Sequence, residues 1–122
     1  MILGIGIDLC EVPRMREALK RENFLPRFFT EAEQAYILGR GAGAAQSLAG
    51  HFAAKEAALK ALGCGIALPL KDIAVAHEAS GAPRFVLTGQ ALARMAELGG
   101  RAMHLSITHT GEMAAAVAVL EG

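Results

Sequence analysis

Two acidic residues and two lysines are the first candidates for chemistry in this chain of 122 residues. Asp8 follows an apolar N-terminal run, and Glu56 lies between Lys55 and Lys60 in residues 51–63, HFAAKEAALKALG. Two carboxylates beside lysines suit Mg²⁺, because this ion binds one or two carboxylates together with waters and substrate phosphates, which the lysines would contact. The spacing also fits an ordinary surface pair of Glu56 and Lys60, four residues apart on a helix.

Two predicted elements must position these side chains. Residues 2–9 predict a buried strand with two different faces. One face carries Ile5, Ile7 and Leu9, and the other carries Gly4, Gly6 and Asp8. The glycines would let another element approach the backbone closely. Residues 45–62 predict a long helix with Lys55 near the centre of its apolar stripe, where a charge needs an opposite charge such as a phosphate.

The remaining segments predict an α+β fold, with a mainly antiparallel sheet packed with the long helix. Further helices are expected over 13–22, 31–38 and 89–98, and further strands over 72–77, 84–87, 103–109 and 113–120. Thr30 and Glu33 have the spacing of a capping box, and a loop is expected over 39–43. The chain is long enough for one domain, residues 1–122, with a core that needs no disulfide.

The composition excludes several classes of protein. Hydrophobic residues make up 53% of the chain and charged residues 20%, which is the opposite of a disordered protein. Twelve basic residues balance twelve acidic ones, so the net charge gives no reason to expect a nucleic-acid partner. Cys10 and Cys64 form no disulfide framework, and no segment is typical of a signal peptide or a membrane span. We therefore expect a cytoplasmic protein.

Three separated motifs carry a resemblance to a known family. They are GIGIDL at residues 4–9, the helix motif at 51–63, and LSITHTGEMAAAVAVL at 105–120. In this order they resemble the holo-acyl-carrier-protein synthases, the small single-domain type of 4′-phosphopantetheinyl transferase. The similarity extends over nearly the whole chain, and three motifs in order make chance an unlikely origin.

The resemblance implies a reaction and a site. Coenzyme A would donate its phosphopantetheine arm to a serine of apo-acyl carrier protein, releasing adenosine 3′,5′-bisphosphate, in fatty acid biosynthesis. Asp8 and Glu56 would hold Mg²⁺, Lys55 and Lys60 would lie by the phosphates, and Asp8, Glu56 and Lys60 would be catalytic. The base that deprotonates the serine is left open between Glu56 and a water on the metal. The coenzyme A site would also include Gly63, His109 and Thr110.

The same resemblance implies partners and shows two departures. Acyl carrier proteins are acidic, so the basic first helix would dock them through Arg14 and Arg21, with Phe24 just beyond it as a further docking residue. The family is typically a homotrimer with its sites between subunits. This chain has His51 where the family usually has arginine, and Ala67 where glycine is frequent. A phosphate contact of His51 would depend on pH, because the ordinary histidine pKa is about 6.5.

Three other functions remain open at this point. A transferase of broader carrier specificity is the nearest one, although such proteins are usually about twice this length. A non-catalytic trimer could bind the carrier protein or a nucleotide without turnover. A Mg²⁺-dependent hydrolase would cleave coenzyme A without any carrier. The basic residues 14–21 could equally form a solvated surface.

Reversing the charge of Arg14 and Arg21 tests the docking assignment. We expect the double variant Arg14→Glu, Arg21→Glu to have a higher KM for the carrier protein, because it would repel an acidic partner. Coenzyme A binding should stay nearly unchanged. Steady-state kinetics with each substrate in turn measures both effects, and an equal loss of affinity for the two substrates would contradict the assignment.

Overall fold

The computed structural model describes residues 1–63 and 68–122. Its strands are β1 (Ile2–Glu11), β2 (Ile73–His77), β3 (Pro83–Leu87), β4 (Ala102–His109) and β5 (Met113–Glu121). Its α-helices are α1 (Val12–Ala18), α2 (Phe24–Phe28), α3 (Glu31–Leu38), α4 (Ala44–Ala61) and α5 (Gly89–Glu97), with single 3₁₀ turns at Gly41–Gly43 and Leu70–Asp72. Cys64 and Ala67 lie outside the described residues. Within those two ranges, no helix is long and apolar enough to cross a membrane.

The strands form two antiparallel sheets. The larger sheet has the order β1–β5–β4, so the last strand of the chain lies at its centre. Ile7 of β1 pairs with Val117, which pairs in turn with Ser106 of β4. Strands β2 and β3 form a separate hairpin with Val75 opposite Phe85. The predicted α+β fold with antiparallel strands and one long helix is confirmed.

Helix α4 lies unusually close to the larger sheet because the contact surfaces are almost free of side chains. A Cβ atom on Gly6 would overlap the carbonyl oxygen of Ala57, and one on Gly4 would overlap that of Ala61. Most of the helix residues on this side are fully buried alanines. The predicted close approach at the glycine face is therefore made by the backbone of α4.

The opposite face of β1 is uncovered within one chain. The side chains of Ile5, Ile7 and Leu9 are 61%, 63% and 63% exposed, although the sequence predicts a buried strand. That prediction is wrong for the single chain. Helix α4 covers the glycine side, and β1 is an edge strand with β5 as its neighbour. An apolar face of this kind is typical of an interface.

The segment between α1 and α3 differs from the prediction. The helix expected over 13–22 ends at Ala18, and the unpredicted helix α2 begins at Phe24. Pro26 lies in the first turn of α2, where a missing N–H breaks no helical hydrogen bond. The capping box is confirmed, since the Glu33 N–H donates to Thr30 Oγ1 and the Thr30 N–H donates to Glu33 Oε1. The expected loop at 39–43 contains a 3₁₀ turn.

Candidate functional site

Strand β1 and helix α4 bring the predicted catalytic residues together. The ammonium of Lys60 donates to Asp8 Oδ1 at 3.1 Å and to the carbonyl oxygen of Ile7 at 2.9 Å. Glu56 projects from α4 one turn before Lys60 and is half-buried, as is Asp8. The hydrogen bonds of the Lys60 ammonium thus go to the facing strand β1. They differ from those of a surface pair between Glu56 and Lys60, which the sequence left open. More than half of the Lys60 side chain stays open to solvent.

The charge of Asp8 acts on the Glu56 carboxyl across β1 and α4. Burial raises the pKa of Glu56, and the negative charge of Asp8 raises it further, while Lys60 and Arg14 act in the opposite direction. Two partly desolvated carboxylates that repel each other form an environment that a divalent cation would stabilise. Cys10 lies nearby, but burial raises the pKa of its thiol to about 11, so it is a neutral core residue.

The carboxylate pair fits Mg²⁺ in its chemistry. Asp8 and Glu56 supply hard oxygen donors, and this ion commonly takes one or two carboxylates and completes its shell with waters and phosphates. Within residues 1–63 and 68–122, no group of three histidine, cysteine, aspartate or glutamate side chains is placed to hold a metal. A metal at this pair would therefore depend on oxygens from water and substrate.

Lys55 lies elsewhere than the resemblance implied. Its side chain is fully buried, and its ammonium donates to Glu33 Oε1 and to the carbonyl oxygens of Leu70 and Ile73, all within 3.0 Å. These three acceptors use all three N–H donors of the ammonium. The prediction that Lys55 lies by the coenzyme A phosphates therefore does not fit its position. Burial lowers its pKa, and the charge and hydrogen bond of Glu33 oppose this shift.

The three predicted docking residues line one groove. Arg14, Arg21 and Phe24 surround a groove of about 490 Å³, and its other aromatic walls are Phe28 and Phe52. The guanidinium of Arg21 lies over the ring of Phe24 at 5.3 Å. Positive charge and exposed aromatic surface therefore occur together.

A second groove of about 470 Å³ adjoins the first one. Glu56 and Leu59 lie in its wall, and both grooves are bordered by Arg27 and Phe28. The basic groove and the carboxylate pair are thus neighbours on the surface.

His109 lies in a different depression, a cleft of about 340 Å³. Tyr36, Arg40, His51 and His77 line the same cleft. Sequence reasoning found no relation between His51 and His77, because they are 26 positions apart and fit no metal-ligand spacing. Among the residues that the structure describes, the cleft of His109 and the groove of Glu56 have no lining residue in common within one chain.

Two further predicted ligands have local structural roles. The hydroxyl of Thr110 accepts hydrogen bonds from the N–H groups of Glu112 and Met113, which holds the turn between β4 and β5. Gly63 follows α4 with a φ of +67°, a left-handed conformation that glycine adopts without strain. Neither role removes these residues from a coenzyme A site, and both remain predictions.

Comparison with known proteins agrees with this architecture. The family model described as "4′-phosphopantetheinyl transferase superfamily" matches residues 4–118. The holo-[acyl-carrier-protein] synthase of Treponema denticola is 51% identical, with 100% of both chains covered. The chain belongs to the 4′-phosphopantetheinyl transferase superfamily, which confirms the resemblance carried by the three motifs.

Two solved structures show the same fold. The holo-[acyl-carrier-protein] synthase of Neisseria meningitidis superposes with a TM-score of 0.88 at 33% identity, covering 100% of both chains. The Helicobacter pylori enzyme of the same name, solved in complex with coenzyme A, gives a TM-score of 0.82 at 33% identity, covering 96% of this chain and 99% of that one.

Replacing each lysine by methionine separates the structural role of Lys55 from the exposed role of Lys60. We expect Lys55→Met to lower the free energy of unfolding by about 3–5 kcal/mol, because it leaves the Glu33 carboxylate buried without its counter-charge. Lys60→Met should cost less than about 1 kcal/mol, as for other exposed pairs. Urea unfolding followed by circular dichroism measures both. Equal and small losses for the two variants would show that Lys55 is not a buried structural cation.

Proposed function

We propose that this protein is a holo-acyl-carrier-protein synthase. It transfers the 4′-phosphopantetheine arm of coenzyme A to a serine of apo-acyl carrier protein and releases adenosine 3′,5′-bisphosphate. The observation that carries the proposal is the meeting of Asp8, Glu56 and Lys60 across β1 and α4, beside a basic aromatic groove. The names of the full-length relatives and the coenzyme A complex of the Helicobacter pylori enzyme support it.

In this proposal Asp8 and Glu56 hold Mg²⁺. The bound ion would supply charge neutralisation for the pyrophosphate of coenzyme A. Phosphoryl transfer depends mainly on such neutralisation and on in-line positioning, with little covalent work for the protein. Lys60, already hydrogen-bonded to Asp8 and partly exposed, is placed to offset negative charge on the departing bisphosphate.

The proposed transfer forms one bond to phosphorus and breaks another. The serine oxygen forms a bond to the phosphorus that carries the pantetheine arm, and the bond from that phosphorus to the bridging oxygen breaks. The bridging oxygen leaves on adenosine 3′,5′-bisphosphate, and the serine proton passes to a base. Carrier protein docked at Arg14, Arg21 and Phe24 would present its serine near Glu56, because the two grooves adjoin.

The assembly proposed for this function is a homotrimer. Ile5, Ile7 and Leu9 form an uncovered apolar surface, and the half-buried Val117 and Val119 of β5 extend it across the sheet. A surface of this kind is costly to expose to water. Sites between subunits also suit a chain in which His109 and Glu56 occupy separate depressions, since a neighbouring copy could supply one of them. We further propose that the enzyme acts in the cytoplasm, in fatty acid biosynthesis.

Intact mass spectrometry of apo-acyl carrier protein tests the transfer. After incubation with the enzyme, coenzyme A and Mg²⁺, the carrier should gain the mass of one phosphopantetheine group, and EDTA should abolish the gain. Asp8→Asn and Glu56→Gln should each lower the rate by about 10²-fold or more, because each removes a charge that holds the metal. The matched control Glu97→Gln, on α5, should leave the rate unchanged.

The other outcomes of that experiment point to the alternative functions. An unmodified carrier with intact coenzyme A would favour a binding protein without turnover. An unmodified carrier with cleaved coenzyme A would identify a hydrolase. Modification that continues in EDTA would contradict the role of the metal while leaving the transferase in place.

A charged residue introduced on the exposed apolar face of β1 tests the proposed homotrimer. We expect light scattering coupled to size-exclusion chromatography to give three times the mass of one chain for the native protein. Ile5→Glu should give a smaller species, because a buried interface does not tolerate an unpaired carboxylate. Leu92→Glu, a similar change at an exposed residue of α5, should remain trimeric. A monomeric native protein would refute the trimer.

A further inference from the structure

Two histidines that the proposed reaction does not use form a hydrogen-bonded pair. His51 of α4 and His77 of β2 face each other through their Nε2 atoms at 3.0 Å. On the far side of each ring, Nδ1 meets a backbone carbonyl oxygen. His51 Nδ1 lies 2.6 Å from the oxygen of Ser47, and His77 Nδ1 lies 3.3 Å from the oxygen of Gly81. The two rings therefore form one chain of three hydrogen bonds.

This chain needs one proton more than two neutral imidazoles carry. A carbonyl oxygen only accepts, so both Nδ1 atoms must donate an N–H. One further N–H is needed between the two Nε2 atoms. The arrangement thus requires three N–H groups, whereas two neutral rings have two. All three hydrogen bonds can therefore form only when the two histidines together carry one excess proton and a single positive charge.

The surroundings place that charge on His77. His51 is buried, and burial lowers its pKa, so it is the neutral partner that accepts through Nε2. The ring of His77 stacks on Tyr36 with centroids 3.9 Å apart and planes at 8°. The face of an aromatic ring attracts a cation, which favours an imidazolium at this position.

Other charged groups act on the pair from every side. Arg40, two residues after the end of α3, lies over the Tyr36 ring and opposes a second cation, and His109 of β4 shares the cleft. Behind the pair, Glu33 raises the pKa of His51 and Lys55 lowers it. These last two groups neutralise each other by their own ion pair. Glu78 follows His77 directly in the chain.

The charged and titratable lining of the cleft is basic, apart from the phenol of Tyr36. It consists of Arg40, His51, His77 and His109, and no carboxylate from residues 1–63 or 68–122 lines it. We propose that His77 is a phosphate-binding residue whose positive charge is held by the proton shared with His51, so that binding of an anionic phosphate to this cleft is coupled to proton uptake. The long contact of His77 Nδ1 with Gly81 is the hydrogen bond that a phosphate oxygen would replace. The identity of the ligand, a phosphate of coenzyme A, rests on the proposed function.

Nuclear magnetic resonance of the imidazole nitrogens tests the shared proton without any ligand. At about pH 6 we expect both nitrogens of His77 to carry protons and His51 to be a neutral Nδ1–H tautomer, because the three hydrogen bonds of the pair require this arrangement. His104, an exposed histidine paired with Glu121, serves as the internal comparison. Two neutral rings at this pH would overturn the proposal.

Calorimetric titration with adenosine 3′,5′-bisphosphate tests the coupling to binding. At about pH 6 the native protein should bind about tenfold more tightly than His77→Gln, the effect of one charge-assisted hydrogen bond. At about pH 8 the two affinities should agree within about threefold, because the excess proton has been lost. Titration of the ligand phosphates affects both proteins equally, so the ratio isolates His77. The control His104→Gln should bind like the native protein at both pH values.

Proton uptake supplies an independent readout. Binding enthalpies measured at about pH 7, between these two conditions, in buffers of different ionisation enthalpy should show protons taken up by the native protein in excess of those taken up by His77→Gln. Equal uptake, or an affinity ratio that does not change with pH, would overturn the inference. Either result would leave the proposed transferase function intact, because that function is tested by the mass gained by the carrier protein. Conversely, a protein that binds the bisphosphate with the expected pH dependence but modifies no carrier would contradict the proposed function and leave the role of His77 in place.

Discussion

The buried ammonium of Lys55 is the interaction on which the site depends. It connects α4 to Glu33 of α3 and to two carbonyl oxygens at the start of the β2 hairpin, and the second carboxylate oxygen of Glu33 accepts from the N–H of Val75. The same carboxylate caps α3. Because an unpaired charge in the core is strongly destabilising, these elements have little freedom to shift along one another. Glu56 follows Lys55 directly, so its place against Asp8 is set by this ion pair.

The second constraint is the contact of α4 with β1, where glycines face alanines. The helix backbone comes close enough for the Lys60 ammonium to reach a carbonyl and a carboxylate of the strand. A larger side chain at Gly6 would move α4 outward and separate Glu56 from Asp8. Covering the glycine side of β1 also leaves its isoleucine side open, so the same packing that builds the carboxylate pair creates the apolar surface proposed to assemble three chains.

Helix α4 thus connects two chemically different surfaces. Glu56 and Lys60 serve the carboxylate pair beside the basic groove, and His51, one turn before Lys55, serves the cleft with His77 and His109. Two separate binding surfaces on one helix suit a long, anionic substrate, because its separate phosphates need separate partners. Rate enhancement in phosphoryl transfer comes from holding charges in place, and a rigid helix anchored by a buried ion pair provides that.

Local patterns in the sequence determined a large part of this protein. The capping box of Thr30 and Glu33 acts within four residues, the long helix and the hairpin of β4 and β5 follow from periodicity and turn residues, and the three motifs were enough to indicate the family. Only the tertiary structure decided which side of β1 is covered, that Lys55 pairs with a carboxylate 22 positions away, and that His51 meets His77. A helical wheel shows that a lysine lies in an apolar stripe, but both a phosphate and a glutamate would satisfy its charge. The choice between them depends on a distance through space, which periodicity along the chain does not contain.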